Sequence, residues 1–540
     1  MDPYRKLIVF RKGQKGLSIK MRKNGVFLHI TSLPSPYGIG TMGQHARDFI
    51  DMLARNGQSI WQILPICPTS YGDSPYSSTA AFAGNPYLID LDQLAFDGLL
   101  AWDEFQHEQW FTYPDRVDYA ILAQKRLPLL RKAASRLLES KPLNYDSFLE
   151  ENAYWLDDYA LFMAIKGANE NKAWRDWPAG FRIYEKKKAK IWSTQYRSEI
   201  EIHKAIQYLF FRQWDVLKGY ANERGIEIMG DIPIYVAMDS VDTWSHPELF
   251  LMDEHGSPAL VAAVPPDAFS ASGQLWGNPV YDWDAQKKTG YAWWCDRIRH
   301  MSEMYNILRI DHFRGFESFY AVNADSKDAL NGQWYKGPGA DLFKVITEKL
   351  GEQNIVAEDL GILTPAVEKM LKTVGYPGMK VMEFGLFANT LEGQEYLPIS
   401  YPFNCVAYCG THDNDTIFGW FHALSEVDRE YVREYLNSWD DEKLNWNMIG
   451  ALLGSASDTT IVMAQDLLGL GSESRMNQPG AATTNWQWRL VPGQLDEDTM
   501  RHLAYVSRVY RRLPTQRIAP KVMLEEPGGP AIEASDIASL

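Results

Sequence analysis

A chain of 540 residues is too long for one small module and suits one large α/β domain with insertions, or two to four ordinary domains. Apolar residues make up 46% and charged residues 23% of it, which excludes global disorder. Its 54 basic and 69 acidic side chains leave a net charge of −15, which argues against nucleic acid as a partner because phosphate binding needs a basic face. No apolar run reaches the ~18 residues of a membrane span, so no membrane partner is expected.

The first 24 residues read as a basic extension, with Arg5, Lys6, Arg11, Lys12, Lys15, Lys20, Arg22 and Lys23 against Asp2. The apolar core Leu7 to Phe10 is too short for a signal peptide, so export is not expected, and Met21 is an alternative start. Eight short β-prone runs follow: Val26–Ile30, Ile60–Leu64, Ile226–Met229, Ile307–Ile310, Ile355–Ala357, Met379–Phe384, Val406–Cys409 and Ile461–Ala464. Helical stripes lie between them, such as Ala46, Phe49, Ile50 and Leu53, then Ile206, Leu209, Phe210 and Leu217, then Asp341 to Leu350. Strand–helix alternation predicts a parallel sheet with crossovers, and eight units favour a (β/α)8 TIM barrel over 25–514. The Gly-rich turn of a dinucleotide-binding open sheet is missing.

The second and third strand runs are about 160 residues apart, and the third and fourth about 77, so both gaps hold insertions. The first, roughly 66–225, is expected to be largely helical, with stripes such as Leu127, Leu130, Ala134, Leu137 and Leu138. The second, roughly 238–300, is rich in Pro, Gly and Trp over Met238 to Gln286 and reads as a loop-like lid. Residues 515–540 read as a frayed tail. The pairs Trp293–Trp294 and Phe210–Phe211 read as core.

Four cysteines, Cys67, Cys295, Cys405 and Cys409, are too few and scattered for a disulfide framework, and no second Cys/His pair joins Cys405 and Cys409 at zinc spacing. They read as reduced thiols of a cytoplasmic protein, and no metal or cofactor is expected. The 19 Trp and 28 Tyr hint at function, since indole and phenol rings pack on the C–H faces of sugars while their polar edges hydrogen-bond.

Three acidic motifs close predicted strands: RIDHFRGF (309–316), AEDLG (357–361) and THDND (411–415). In a TIM barrel such ends share the catalytic face, where gathered carboxylates shift each other's protonation. Glycoside cleavage uses such a cluster. One carboxyl protonates the leaving oxygen, and a second, ~5–5.5 Å away, attacks the anomeric carbon with retention. Arg309, two residues before Asp311 on the same strand face, is expected to keep Asp311 ionised as the nucleophile. Glu358 is then the acid/base, its proton retained by the negative charge beside it, and His412 and Asp413 grip hydroxyls.

With these motifs stand SLPSPYGIG (32–40), YGDSPYSS (71–78), AFAGNPYLID (81–90), GDIPIYV (230–236), GQLWGNPVYDW (273–283), ESRMNQPG (473–480) and NWQWR (485–489). Together they resemble the 4-α-glucanotransferases called amylomaltase or disproportionating enzyme, in the α-amylase clan, from Gly25 to Pro514. The resemblance implies retaining double displacement on α-1,4-glucans, with maltooligosaccharides as donors and glucose or maltooligosaccharides as acceptors. It implies Asp311 as nucleophile, Glu358 as acid/base and Asp413 as the carboxylate holding the distorted sugar. Asp231, Arg309 and His412 are implied as sugar contacts, Gln274 and Trp276 as part of a covering loop, Ser74 and Tyr76 as donor contacts, and Asn477 as lying near the non-reducing end. A clan hydrolase or branching enzyme is the nearer alternative. Remoter ones are a magnesium site on Asp231, Asp311 and Glu358 for enolate chemistry, and a non-catalytic glucan-binding protein.

Overall fold

In the computed structural model, twelve strands are formed among the described residues, which are 22–513 without 267–271, 362, 389–392 and 482–483. In chain order they are β1 (Lys23–Phe27), β2 (Ile60–Gln62), β3 (Glu227–Ile232), β4 (Leu260–Val264), β5 (Gln274–Pro279), β6 (Ile307–Ile310), β7 (Ser318–Asn323), β8 (Gln333–Lys336), β9 (Ile355–Ala357), β10 (Gly378–Val381), β11 (Cys405–Tyr408) and β12 (Thr459–Met463). The expected tail, and the expected basic extension up to Met21, lie outside the described residues. β1 begins at Lys23, inside the stretch expected as extension.

The eight expected runs form one parallel sheet, in the order β10-β11-β12-β1-β2-β3-β6-β9. Its two edges meet where the Ala357 amide donates to the Pro377 carbonyl at 2.9 Å, so the sheet is a nearly closed TIM barrel. Its strands are short and apolar because both faces are covered, by side chains within and helices without. The helix Gln44–Arg55 buries Ala46, Phe49, Ile50 and Leu53 against it, the stripe read from the sequence. Both aromatic pairs are in the core, with Trp294 and Phe210 fully buried.

Between β2 and β3 run the long helices Tyr119–Ser140, Tyr145–Ala168 and Arg197–Glu223. The last of these anchors the 81–90 segment through two buried amides. The Gln207 side chain accepts from the Gly84 amide (2.7 Å) and donates to the Gly84 carbonyl (2.9 Å), and Gln213 does the same at Asp90 (2.7 and 3.2 Å). Residue 84 has to be glycine, because a Cβ there would lie 2.0 Å from the Phe210 ring.

The Pro/Gly/Trp-rich stretch after β3 differs from its loop-like expectation. It supplies β4 and β5, which join β7 and β8 in an antiparallel sheet of order β5-β4-β7-β8. Its partners come from a later crossover, so no local pattern announces the pairing. Among the described residues no helix is long and apolar enough to cross a membrane.

Candidate active site

Strand register builds the site's floor. Asp231 on β3 and Arg309 on β6 are register partners, and so are Ile310 on β6 and Ala357 on β9. Asp311 and Glu358, the next residues on those two strands, therefore emerge side by side at the carboxyl ends. The Asp311 amide is held by the Ile232 carbonyl (2.9 Å) and the Glu358 amide by the Ile310 carbonyl (3.0 Å).

Arg309 is almost fully buried and donates to Asp231 (2.6 Å), while its other terminal nitrogen lies 3.0 Å from an Asp311 oxygen. The Tyr76 hydroxyl donates to the same Asp231 oxygen (2.6 Å). Asp231 and Arg309, expected to touch sugar, thus lie beneath the cleft and hold Tyr76 and Asp311 in place. Asp311 itself keeps a quarter of its side chain exposed.

Each Glu358 oxygen accepts one backbone amide: Leu360 gives to Oε1 (3.0 Å) and His312 to Oε2 (2.6 Å). Burial pushes Glu358 up to about 6, against the pull of the Arg309 guanidinium and of these two amides, and Asp359 adds to the rise. Burial rather than neighbouring charge is therefore the chief reason its proton is retained. Asp311 is also raised by burial; Arg309 opposes this, and Glu358, Asp231 and Asp413 reinforce it. The expected dominance of Arg309 over Asp311 does not hold. Asp311 and Glu358 therefore titrate as a pair, and the guanidinium in contact with Asp311 opposes the rise there.

On the β11 side, Asp413 accepts from the Asn477 side-chain amide (2.6 Å) and lies 3.4 Å from His412 Nε2. Arg475 donates to the Asp413 carbonyl (2.6 Å), fixing the loop. The His412 ring stacks on Tyr76 with centroids 5.3 Å apart and planes 8° from parallel. Burial lowers its pKa, so it faces the cleft as neutral imidazole.

Ser74, Tyr76, Gln274, Trp276, Asp311, His412, Asp413 and Asn477 all line one open cleft of about 1370 Å³. A drug-sized site is ~300–1,000 Å³, so this one has room for an oligomer. Trp486 lines it too. Its ring lies 5.8 Å from Tyr76 and 6.0 Å from His412, on a left-handed backbone of φ 65°. Sequence reasoning quoted its motif, NWQWR, but gave it no task; strain at a cleft-lining aromatic is a signal visible only in three dimensions. His29, also missed, is buried beside His412 and accepts the Leu64 amide on Nδ1 (3.2 Å).

Among the described residues no group of three His, Cys, Asp or Glu side chains is placed to hold a metal ion. Asp231, weighed as a magnesium ligand, is instead engaged by Arg309 and Tyr76. All four cysteines are free thiols and buried.

Comparison with known proteins gives concordant matches. A family model described as 4-alpha-glucanotransferase matches residues 28–494. The 4-alpha-glucanotransferase of Clostridium butyricum is 43% identical over 487 residues, covering 90% of this chain and 100% of that protein. The solved structure of the amylomaltase from Streptococcus agalactiae in complex with acarbose superposes with a TM-score of 0.89 at 42% identity, over 91% of this chain and 100% of that one. The amylomaltase from Corynebacterium glutamicum shares the fold, with a TM-score of 0.69 at 18% identity over 90% of this chain and 75% of that one.

Proposed function

The chain belongs to the 4-alpha-glucanotransferase family and is an enzyme that disproportionates α-1,4-glucans; from that premise we propose how its own residues divide the work. Asp311 attacks the anomeric carbon of the donor sugar. The bond from that carbon to the departing 4-oxygen breaks, and Glu358 gives its proton to that oxygen. The donor segment is left as a glycosyl ester on Asp311. The 4-hydroxyl of glucose or of a maltooligosaccharide then attacks the same carbon, Glu358 takes its proton, and Asp311 is released as carboxylate. Two inversions retain the configuration.

The observation that carries this is the pairing of Asp311 and Glu358 at adjacent strand ends, with Arg309 bound to Asp311 and the proton held by a carboxyl raised to about 6. Asp413, fixed by Asn477 and half-exposed to the cleft, holds the distorted sugar, with neutral His412 beside it. Ser74, Gln274 and Trp276 bind donor and acceptor rings. Asp231 and Arg309 act from below as positioning residues.

Transfer wins over hydrolysis when sugar rings rather than water occupy the acceptor side, and Trp276 and Trp486 supply that apolar cover. Maltotriose tests the scheme. Glucose together with chains longer than maltotriose is expected, and Asp311→Ala is expected to lower their formation by at least about 10⁴-fold. Glucose and maltose without elongation, or an Asp311→Ala protein that still elongates, overturns it.

A further inference from the structure

One residue next to the reacting pair makes two contacts that a single ordinary residue does not make at once. His312 follows Asp311 and has φ 50°, in the left-handed region that bulky side chains rarely adopt. This backbone turns its amide onto Glu358 Oε2 at 2.6 Å. The next amide, Phe313, donates to the Glu358 carbonyl at 3.0 Å, so the turn grips Glu358 by side chain and backbone. The same turn sends the His312 ring the other way, edge-on against the Trp276 indole, with centroids 4.9 Å apart and planes at 84°. Behind the ring there is no slack, since a Cβ on Gly315 would lie 3.1 Å from His312 Cδ2. Burial, with Arg314 adding to it, takes the imidazole down to about 3, so the ring is neutral and its hold on the indole does not change over working pH.

We propose that His312 is a positioning residue that joins the Trp276 cover of the cleft to the acid/base carboxyl, its amide orienting Glu358 and its ring seating the indole, with the left-handed backbone permitting both. This rests on the reading of Glu358 as acid/base. The two functions travel on different atoms, so different substitutions separate them. His312→Asn keeps the left-handed backbone, which Asn tolerates, and so keeps the amide while removing the ring. His312→Val removes the ring and also opposes the backbone, because a β-branched residue is an outlier at positive φ.

The alkaline limb of kcat/KM reads the proton on Glu358. The groups bearing on that carboxyl are Arg309, Asp311, Asp359, Arg314 and Tyr396, and neither substitution touches them. Losing a hydrogen bond to the ionised form raises a carboxyl, here by about one pH unit. His312→Val is therefore expected to move the limb up by about one unit, and His312→Asn to leave it in place. His312→Asn and Trp276→Ala are each expected instead to raise the ratio of hydrolysis to transfer from maltotriose several-fold, and the double variant is expected to do no more than either alone.

Equal shifts of the limb in the Asn and Val variants, no shift in either, or effects of His312→Asn and Trp276→Ala that simply multiply overturn the proposal. If His312→Val melts well below the wild type, His312→Thr, which is also β-branched, reads the same limb. Glu358→Gln keeps the two failures apart. If it stays active, the acid/base assignment falls; if it is inactive while the His312 variants behave alike, the joining role alone falls.

Discussion

Two groups of buried carboxyls stand at the strand ends of one barrel, and they are built on different terms. Around β3, β6 and β9, Asp231 and Asp311 flank the buried Arg309 guanidinium, Glu358 receives two backbone amides, and Asp311 opens onto the cleft. Around β10, β11 and β12, Glu383 and Asp466 are almost fully buried, near Asp415. Asp466 accepts the Ile417 amide (2.8 Å), but Glu383 Oε1 and Asp466 Oδ2 have no hydrogen-bond partner. Burial first, then Asp466 and Asp415, drives Glu383 far above the ordinary range, and burial lifts Asp466 to about 7. An acid at the mouth of a barrel is thus not chemistry in itself. Among the described residues, what separates the two groups is a guanidinium in direct contact, where Arg475 acts on Glu383 only from a distance, and an opening to substrate.

The same substitution in both groups gives the sharpest contrast. Glu358→Gln removes the transferable proton and is expected to lower elongation of maltotriose by about 10²–10⁴-fold, with a melting temperature close to wild type. Glu383→Gln mimics a carboxyl that is already neutral, so it is expected to keep most of the activity. Comparable activity losses in both would erase the distinction. Next in size is Arg309→Met. It strands Asp231 without its counter-charge, and breaking a buried pair from one side costs about 3–5 kcal/mol. Denaturant unfolding is expected to show a loss of that order, where loss of an exposed pair such as Arg55–Glu497 costs at most about 1 kcal/mol.

The barrel was legible because its eight strands are short apolar runs, most of them closed by polar or small residues, and helical stripes as regular as Ala46, Phe49, Ile50 and Leu53 lie between them. The juxtaposition of Asp311 and Glu358 was legible for the same reason: once they end neighbouring strands, parallel register brings them together. What was not legible lay across the chain. β5 finds β4, but β4 also needs β7, some sixty residues on in the next crossover, so Gln274 to Pro279 reads locally as loop. Asp231 carries no mark in the sequence of its burial or of the Tyr76 hydroxyl that donates to it. Nor does Glu383 differ in local pattern from Glu358, since how near a cation stands is a property of the neighbours.

The smallest predicted effect probes the cluster beside β12 through pH. Asp466 binds its proton more tightly folded, at about 7, than its ordinary 3.8 in the unfolded chain. Between those values the folded protein holds more protons than the unfolded one, so this group makes folding less favourable as pH rises through the window. The full cost, reached above about pH 7, is up to roughly 4 kcal/mol. Asp466→Asn keeps an oxygen for the Ile417 amide and removes the charge that ionisation creates. Its melting temperature is therefore expected to match the wild type near pH 4.5 and to exceed it by a few degrees at pH 8. The carboxyls around Arg309 contribute equally to both proteins and cancel in the difference. A gap that is widest in acid, or the same at every pH, would mean that Asp466 is ionised in the folded chain and that some group near β12 compensates it, which would make the two clusters alike.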